Sequence, residues 1–245
     1  MIPIGDVNPT RRPPVLTIGL IVACVLVFLY QLTLPDDLSL EGRQAFFCEF
    51  GLVADHLLEG VTRTGDACVL LNHEHPRGLS LVTSQFIHAD LWHLLFNMLF
   101  LWVFGNNVED RLGRVRFVPF YLLCGAIAGL AQAATDPSSG IPLIGASGAI
   151  SGVLGAYLVL FPKVRVWTVV FPLVFLPFKL PAWVWLAAYF VLQLVLLGDM
   201  GQGDGGGVAY LAHIGGFVAG ALLIRPFLAG RRDPDPPSPA IGTAW

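Results

Sequence analysis

The 245-residue sequence is 55% hydrophobic and only 13% charged, whereas about a quarter of the residues in a soluble domain are charged. This composition excludes a soluble globular protein and predicts a chain that lies mostly in a membrane. The net charge of −3 is small and does not indicate a partner, and no basic cluster suggests a nucleic-acid partner. The four cysteines form no CxxC pair, so neither a zinc ribbon nor a redox motif is indicated, and we expect no metal and no cofactor.

Six apolar segments predict an all-α membrane protein with six transmembrane helices. The predicted spans cover roughly residues 15–34, 89–107, 117–134, 147–161, 182–198 and 208–229. The first run is about 20 residues long, which is enough to cross a bilayer and too long for the apolar region of a signal peptide. Polar residues 1–14 precede it.

Two polar regions flank these spans. Residues 35–88 form a long loop, in which apolar patches predict short helices at the membrane surface. Residues 230–245 are rich in proline and charge, and we expect them to form a disordered tail. Cys48 and Cys68 lie in the long loop and would pair if it faces an oxidising compartment; their spacing leaves this open.

The distribution of positive charge predicts the topology. Lys and Arg occur before the first span, in alternate connections and after the last span, and the intervening connections 135–143 and 198–210 contain neither. Both termini are therefore expected in the cytoplasm, and we expect the membrane to be the bacterial inner membrane. The apolar stretch 161–183 contains four prolines and three cations, which predicts an irregular cytoplasmic element and not a seventh span.

The fourth span is short. Residues 147–161 would extend roughly 22 Å as a helix, less than the hydrocarbon thickness of about 30 Å. Its cytoplasmic end at Pro162 then leaves Ser147 below the outer surface, at the start of a helix. The preceding loop must enter the membrane, which requires that it be buried in protein or line a wet cavity.

Ser147 and His213 are polar residues at similar depth in two predicted spans, and polar side chains in spans are often functional. Gly148 and Gly152 in one span match Gly216 and Gly220 in the other, a spacing that lets helices approach closely. This packing would bring His213 to Ser147 as the general base of a Ser–His dyad.

A nucleophilic serine also requires donors for an oxyanion. His93 and Asn97 are four residues apart on one helix face, and the backbone N–H of Ser147 lies at a helix start. These three groups are the predicted oxyanion donors. Each polar residue taken alone is more often explained by packing or interhelical hydrogen bonding; the functional interpretation depends on their shared depth.

These residues resemble the motifs of the rhomboid family of intramembrane serine proteases, over residues 80–229. The sequences are GASGA at 145–149, AHIGGFVAG at 212–220, HADLWHLLFN at 88–97 and GNNVEDRLG at 105–113. The resemblance implies a six-helix rhomboid-like bundle with a short central helix that starts at the nucleophile. It also implies structural roles for His88, Glu109, Gly145, Gly148, Gly216 and Gly220.

Two positions depart from the family pattern. Leu79 and Ser80 stand where many members have Trp-Arg, and Ser151 replaces a tyrosine that stacks on the base in some members. The group that orients His213 is therefore left open, and Ser151 is the rival nucleophile.

The resemblance implies cleavage of single-span membrane proteins in or near their transmembrane helix, with lipid and protein substrates as the partners. The fifth span and the glycine-rich loop 198–207 are predicted to form a gate. The oligomeric state is left open.

Three alternatives remain. A catalytically inactive relative would bind membrane helices without cutting them. A proton-coupled transporter would use His93 and His213 as a relay. A metal site would use His56, His73, Glu74 and His75, but these lack the HExxH spacing.

Overall fold

A computed structural model describes residues 1–36, 42–58, 68, 76–170, 174–199 and 209–231. In this part of the chain most residues are helical. The helices are α1 Val15–Gln31, α2 Arg43–Phe50, α3 Ala54–Leu58, α4 Ser80–Thr83, α5 Leu91–Phe100, α6 Asn106–Leu112, α7 Arg114–Thr135, α8 Ser147–Leu160, α9 Ala182–Asp199 and α10 Tyr210–Leu228. Short 3-10 turns at Arg77–Leu79 and Ser84–Phe86 flank α4, and a π-helical turn at Leu101–Gly105 joins α5 to α6.

Six apolar helices correspond to the six predicted segments. By length and composition, Leu91–Leu112, Arg114–Thr135 and Tyr210–Leu228 are able to cross a membrane. The other three, Val15–Gln31, Ser147–Leu160 and the apolar part of α9, are shorter. The helical class is therefore confirmed, and helix α8 begins at Ser147 and has 14 residues.

The prediction of an all-α fold is wrong at one end of the bundle, where a three-stranded sheet forms. Strands β1 Ile2–Asp6, β2 Arg165–Val170 and β3 Val174–Pro181 are antiparallel and occur in the order β1-β2-β3. The β-branched and aromatic residues of RVWTVV favour a strand. Pro3, Pro177 and Pro181 are tolerated because β1 and β3 are the edge strands.

Helix α6 fixes the polar N-terminal segment to the bundle. The Glu109 carboxylate accepts hydrogen bonds from the backbone N–H groups of Leu16 and Thr17 at 3.0 and 2.7 Å, and from the Thr17 hydroxyl at 2.8 Å. Glu109 thereby caps the start of α1, whose first N–H groups have no partner within the helix. Glu109, for which a structural role was predicted, thus holds the start of α1.

The strand β1 is held at a second point. The Asp6 carboxylate accepts hydrogen bonds from Asn107 Nδ2 at 2.9 Å, from the Tyr157 hydroxyl, and from the backbone N–H of Asn8 at 3.3 Å. Tyr157 lies in α8 and is fully buried. The carboxylate therefore connects β1 to both α6 and α8.

The long first loop packs against the outer ends of the helices. Cys48 of α2 and Cys68 form a disulfide, which resolves the pairing that the sequence left open. Leu52 exchanges two backbone hydrogen bonds with Leu143, at 3.0 and 2.8 Å. This bridge ties the first loop to the segment that leads into Ser147.

Some sequence predictions fall outside the described residues. They concern the glycine-rich loop at 200–208, the tail from 232 onward and the residues His73, Glu74 and His75. Among the residues that the structure does describe, no three His, Cys, Asp or Glu side chains form a group that could hold a metal ion.

Replacing Glu109 tests its role as the cap of α1. Glu109→Ala leaves two backbone N–H groups and the buried Thr17 hydroxyl without their acceptor. Since a hydrogen bond to a charged group contributes about 1.5 to 3 kcal/mol, we expect the free energy of unfolding in detergent to fall by about 3 kcal/mol. Asp110→Ala on the same helix, which loses one bond from the Arg11 N–H at 3.3 Å, is the control and should lose less than about 1 kcal/mol. Equal losses would contradict the assignment.

The Asp6 anchor predicts a pH dependence. Burial raises the pKa of the Asp6 carboxyl above its ordinary value of 3.8, against the opposing effect of its hydrogen bonds. The folded state then holds the proton more tightly than the unfolded chain, so the contribution of Asp6 to stability is greatest below pH 3.8 and falls as the pH rises through the raised pKa. Asp6→Asn should abolish this fall in unfolding curves from about pH 3 to 7. A wild-type protein that gains stability relative to the variant as the pH rises would refute it.

Candidate active site

Helices α8 and α10 lie in backbone contact. A Cβ atom placed on Gly216 would lie 2.1 Å from the carbonyl oxygen of Gly148, and one on Gly220 would lie 1.9 Å from that of Gly152. Both distances are too short for any side chain. The two glycines of α10 therefore set the distance between the helices.

The glycines of α8 allow two neighbouring helices, α7 and α10, to approach closely. A Cβ on Gly148 or Gly152 would meet α7, at 2.7 Å from Ala128 Cβ and 2.3 Å from Cys124 Cβ respectively. Gly155, which the sequence reading did not single out, would meet the carbonyl oxygen of Phe217 in α10 at 2.1 Å. Helix α8 is thus enclosed closely by α7 and α10, and nearly all of its residues from Ala149 to Tyr157 are buried.

This packing brings Ser147 and His213 together. His213 Nε2 lies 2.8 Å from Ser147 Oγ, a hydrogen-bond distance. His213 is 6% exposed, and Ser147 is half-buried at the first position of α8. The pair has the geometry of a serine nucleophile next to its base.

Two residues that the sequence reading missed position the start of α10. Gln132 of α7 accepts a hydrogen bond from the backbone N–H of Ala212 at 3.2 Å, which caps the helix beside His213. The ring of Tyr210 stands perpendicular to the His213 ring, with centroids 6.5 Å apart. A glutamine inside an apolar span is a signal that could have identified Gln132.

The segment before Ser147 is held within the protein, as its predicted depth requires. Gly145 adopts φ +125°, a conformation that disfavours side chains, and its N–H donates to the carbonyl of Ser84 at 2.9 Å. A Cβ at Gly145 would lie 2.8 Å from His93 Nε2 and 3.7 Å from Ser147 Oγ. Gly145 therefore leaves room for the imidazole of His93 beside the serine.

The hydrogen bonds of His93 indicate its tautomer. Its Nδ1 accepts from the Ala89 N–H at 3.4 Å, so the proton of a neutral ring is assigned to Nε2, on the edge that faces Gly145. Asp90 caps α5 by accepting from the His93 backbone N–H at 2.9 Å. The side chain of His93 is thus able to donate next to Ser147.

Asn97 and His88 complete this side of the site. Asn97 Nδ2 donates to the His93 carbonyl at 2.8 Å, which leaves its second N–H for a ligand. His88 is fully buried; its ring lies edge-on to His93 at 5.1 Å. Gln31 of α1 accepts from the His88 N–H at 3.3 Å and donates to its carbonyl at 2.8 Å. The buried ring of His88 therefore packs against the ring of His93.

A cavity of about 930 Å³ brings together residues from α5, α8 and α10. Its polar lining includes Ser147, His213, His93, Asn97 and Ser151. Ser151 is 1% exposed and lies one turn after Ser147. The volume falls in the range of ligand pockets.

Comparison with known proteins gives a family match. The family model of the Rhomboid domain matches residues 75–230, more than half of the chain. Rhomboid protein 1, mitochondrial, of Saccharomyces cerevisiae is 35% identical over 150 residues, which make up 59% of this chain and 40% of the yeast protein.

Two bacterial relatives carry names that state an activity. The putative rhomboid protease YdcA of Bacillus subtilis is 38% identical over 78 residues, 32% of this chain and 39% of YdcA. Rhomboid protease GluP of Bacillus subtilis is 42% identical over 78 residues, 32% of this chain and 15% of GluP. The match covers less than half the length of each of these three relatives.

Substituting a contact glycine tests the backbone packing. Gly216→Ala and Gly220→Ala place a methyl group on a carbonyl oxygen of α8, and overpacking costs about 1 to 3 kcal/mol. We expect a loss of at least this size in the free energy of unfolding. Gly19→Ala in α1, where nothing lies within 4 Å, is the control and should be neutral or slightly stabilising, because alanine favours helix over glycine. A neutral Gly220→Ala would contradict the packing.

Proposed function

Because the chain belongs to the rhomboid family, we propose that it is an intramembrane serine endopeptidase that cleaves single-span membrane proteins in or near their transmembrane helix. The observation that carries the proposal is the 2.8 Å contact between Ser147 Oγ and His213 Nε2 inside a buried cavity. The names of YdcA and GluP, which describe proteases, agree with it.

The reaction follows from these groups. Ser147 Oγ attacks the carbonyl carbon of the scissile peptide bond while His213 Nε2 takes the hydroxyl proton. His213 then gives this proton to the leaving amine. Water, deprotonated by His213, attacks the acyl-enzyme, and Ser147 is released with its proton restored.

We propose three hydrogen-bond donors for the oxyanion. The backbone N–H of Ser147 belongs to the first turn of α8, where helix N–H groups lack intrahelical acceptors and the dipole favours negative charge. The His93 Nε2–H and the second N–H of Asn97 come from α5. Fixed donors in a site shielded from water are worth about 3 to 4 kcal/mol each in such reactions.

We propose that the six apolar helices span the membrane, with the N-terminal segment and the C-terminus on the cytoplasmic side and β1 extending from that side into the bundle. In support, the cations gather at one end of the bundle: Arg231 lies against Gly113, Arg116 donates to the carbonyl of Phe227 and Lys179 stacks on Trp167 of the sheet. A positively charged end is the cytoplasmic end in membrane proteins. We assign the bacterial inner membrane as the compartment, although the relatives include mitochondrial proteins.

Substrate entry is proposed between α5 and α9. Phe100 of α5 contacts Trp185 and Tyr189 of α9, with ring centroids 5.5 and 5.8 Å apart. An aromatic contact of this kind contributes about 0.5 to 1.5 kcal/mol beyond the area that it buries. We propose that α9 moves away from α5 to admit the substrate, a motion of the kind that gates many enzymes. The part of the proposed gate at 200–208 lies outside the described residues.

Fluorophosphonate labelling in detergent tests the dyad. Wild type and Ser151→Ala should label at similar rates, because Ser151 is not the nucleophile. Ser147→Ala should not label, and His213→Ala should label at least about 100-fold more slowly, since a general base contributes a factor of about 10² to 10⁴.

Labelling of Ser147→Ala at the wild-type rate would refute the mechanism. A second assay, cleavage of a single-span substrate, separates the protease from an inactive relative: an inactive relative would bind the substrate without labelling or cleaving.

A further inference from the structure

The N-terminal strand β1 reaches the cavity that contains the dyad. Met1 and Ile2 line this cavity together with Phe100, Ile150 and Tyr189. Ile4, two residues further along the strand, is 48% exposed. The strand therefore contributes Ile2 to the cavity wall and leaves Ile4 outside.

The position of β1 is fixed along its length. Ile2 pairs with Val169 and Asp6 with Val166 of β2, and the Val7 N–H donates to the Arg165 carbonyl at 3.0 Å. The Asp6 carboxylate is bound to Asn107 and Tyr157. The register shifts between Pro3 and Gly5, where Ile4 has no partner in β2. The sheet partner and two helices therefore hold β1 on both sides of this irregularity.

The cavity wall has two kinds of lining. The polar part includes Ser147 and His213 together with His93 and Asn97 of α5, and the apolar part includes Ile2 of β1, Phe96 and Phe100 of α5, and Tyr189 of α9. An apolar lining favours an apolar substrate side chain, because burial contributes about 25 cal/mol per Å² of apolar surface. The family match begins at residue 75, so the contribution of β1 to this wall comes from a segment outside the matched domain.

We propose that β1 forms part of the substrate-binding wall, and that Ile2 contacts an apolar side chain of the bound substrate and limits its size. This inference rests on the proposed protease function of the same cavity. Asp6 is the positioning residue that holds the wall in place, and Ile2 is the specificity-determining residue.

Alkyl fluorophosphonates with a short and a long chain measure the space beside Ser147. Ile2→Ala should raise the ratio of long-chain to short-chain labelling rates by about tenfold, and Ile2→Trp should lower it by about tenfold, the usual effect of a change in pocket size. Ile4→Ala and Ile4→Trp are the matched controls on the exposed side of the strand and should leave the ratio unchanged. Equal effects at the two positions, or none at either, would overturn the assignment.

A binding assay separates this inference from the catalytic proposal. In a Ser147→Ala background, Ile2→Cys and Ile4→Cys are each labelled with benzophenone maleimide; the remaining free cysteines, Cys24 and Cys124, are buried. The probe is a lysine-flanked Leu/Ala peptide of about 20 residues, long enough to span a vesicle bilayer. We expect photocrosslinking from position 2 and not from position 4.

The labelling and crosslinking experiments distinguish failure of the protease proposal from failure of the proposed role of β1. If wild type labels with neither fluorophosphonate, the protease proposal fails while crosslinking still decides whether β1 contacts a membrane peptide. If labelling follows Ser147 but crosslinking from positions 2 and 4 is equal, the protease proposal stands and the role of β1 is refuted.

Discussion

The backbone contact between α8 and α10 is the constraint on which the candidate site depends. Ser147 and His213 lie on different helices, and hydrogen-bond distance between them requires the helix axes to be closer than ordinary side chains permit. The glycines remove the side chains at the contact, so that Gly216 and Gly220 meet the carbonyl oxygens of α8. In a lipid environment such close packing is also a main source of helix association. The same contact thus stabilises the bundle and sets the geometry of the dyad.

A second constraint is the depth of Ser147. In the proposed topology the 14-residue helix α8 starts below the membrane surface, and the chain that leads to it must have its backbone groups satisfied inside the protein. The structure does this with neighbouring loops: Leu143 pairs with Leu52, and the Gly145 N–H is bound by Ser84. Gly145 also makes room for His93. The segment 143–146 therefore supports the start of α8 and also forms one wall of the site. The first loop packs against this segment through the Leu52–Leu143 hydrogen bonds.

The helices and the residues of the site could be predicted from the sequence, because apolar runs, cation positions and isolated polar residues in spans are strong local signals. Helix α8 begins at Ser147 as the length argument requires. The sheet was missed because β1 contains Pro3 and β3 contains Pro177 and Pro181. RVWTVV favours a strand, but its pairing with residues 2–6 is a long-range event without a local signal. Gln132 and Tyr210, which stand beside His213, were missed for a related reason: their role depends on how α7 meets α10.

The sheet and helix α6 give the N-terminal segment a defined place in the molecule. Three polar residues of α6 hold this segment. Asn107 binds Asp6, Glu109 binds the start of α1, and Asp110 binds the backbone N–H of Arg11. Without these hydrogen bonds, α1 would pack against the bundle by its apolar surface alone. In lipid, the association of apolar helices has no hydrophobic driving force. Hydrogen bonds at the partly buried end of the bundle hold α1 in place instead. As a result, α1 and β1 are both positioned by one helix, and the segment before the family domain is joined by hydrogen bonds to the bundle that contains Ser147 and His213.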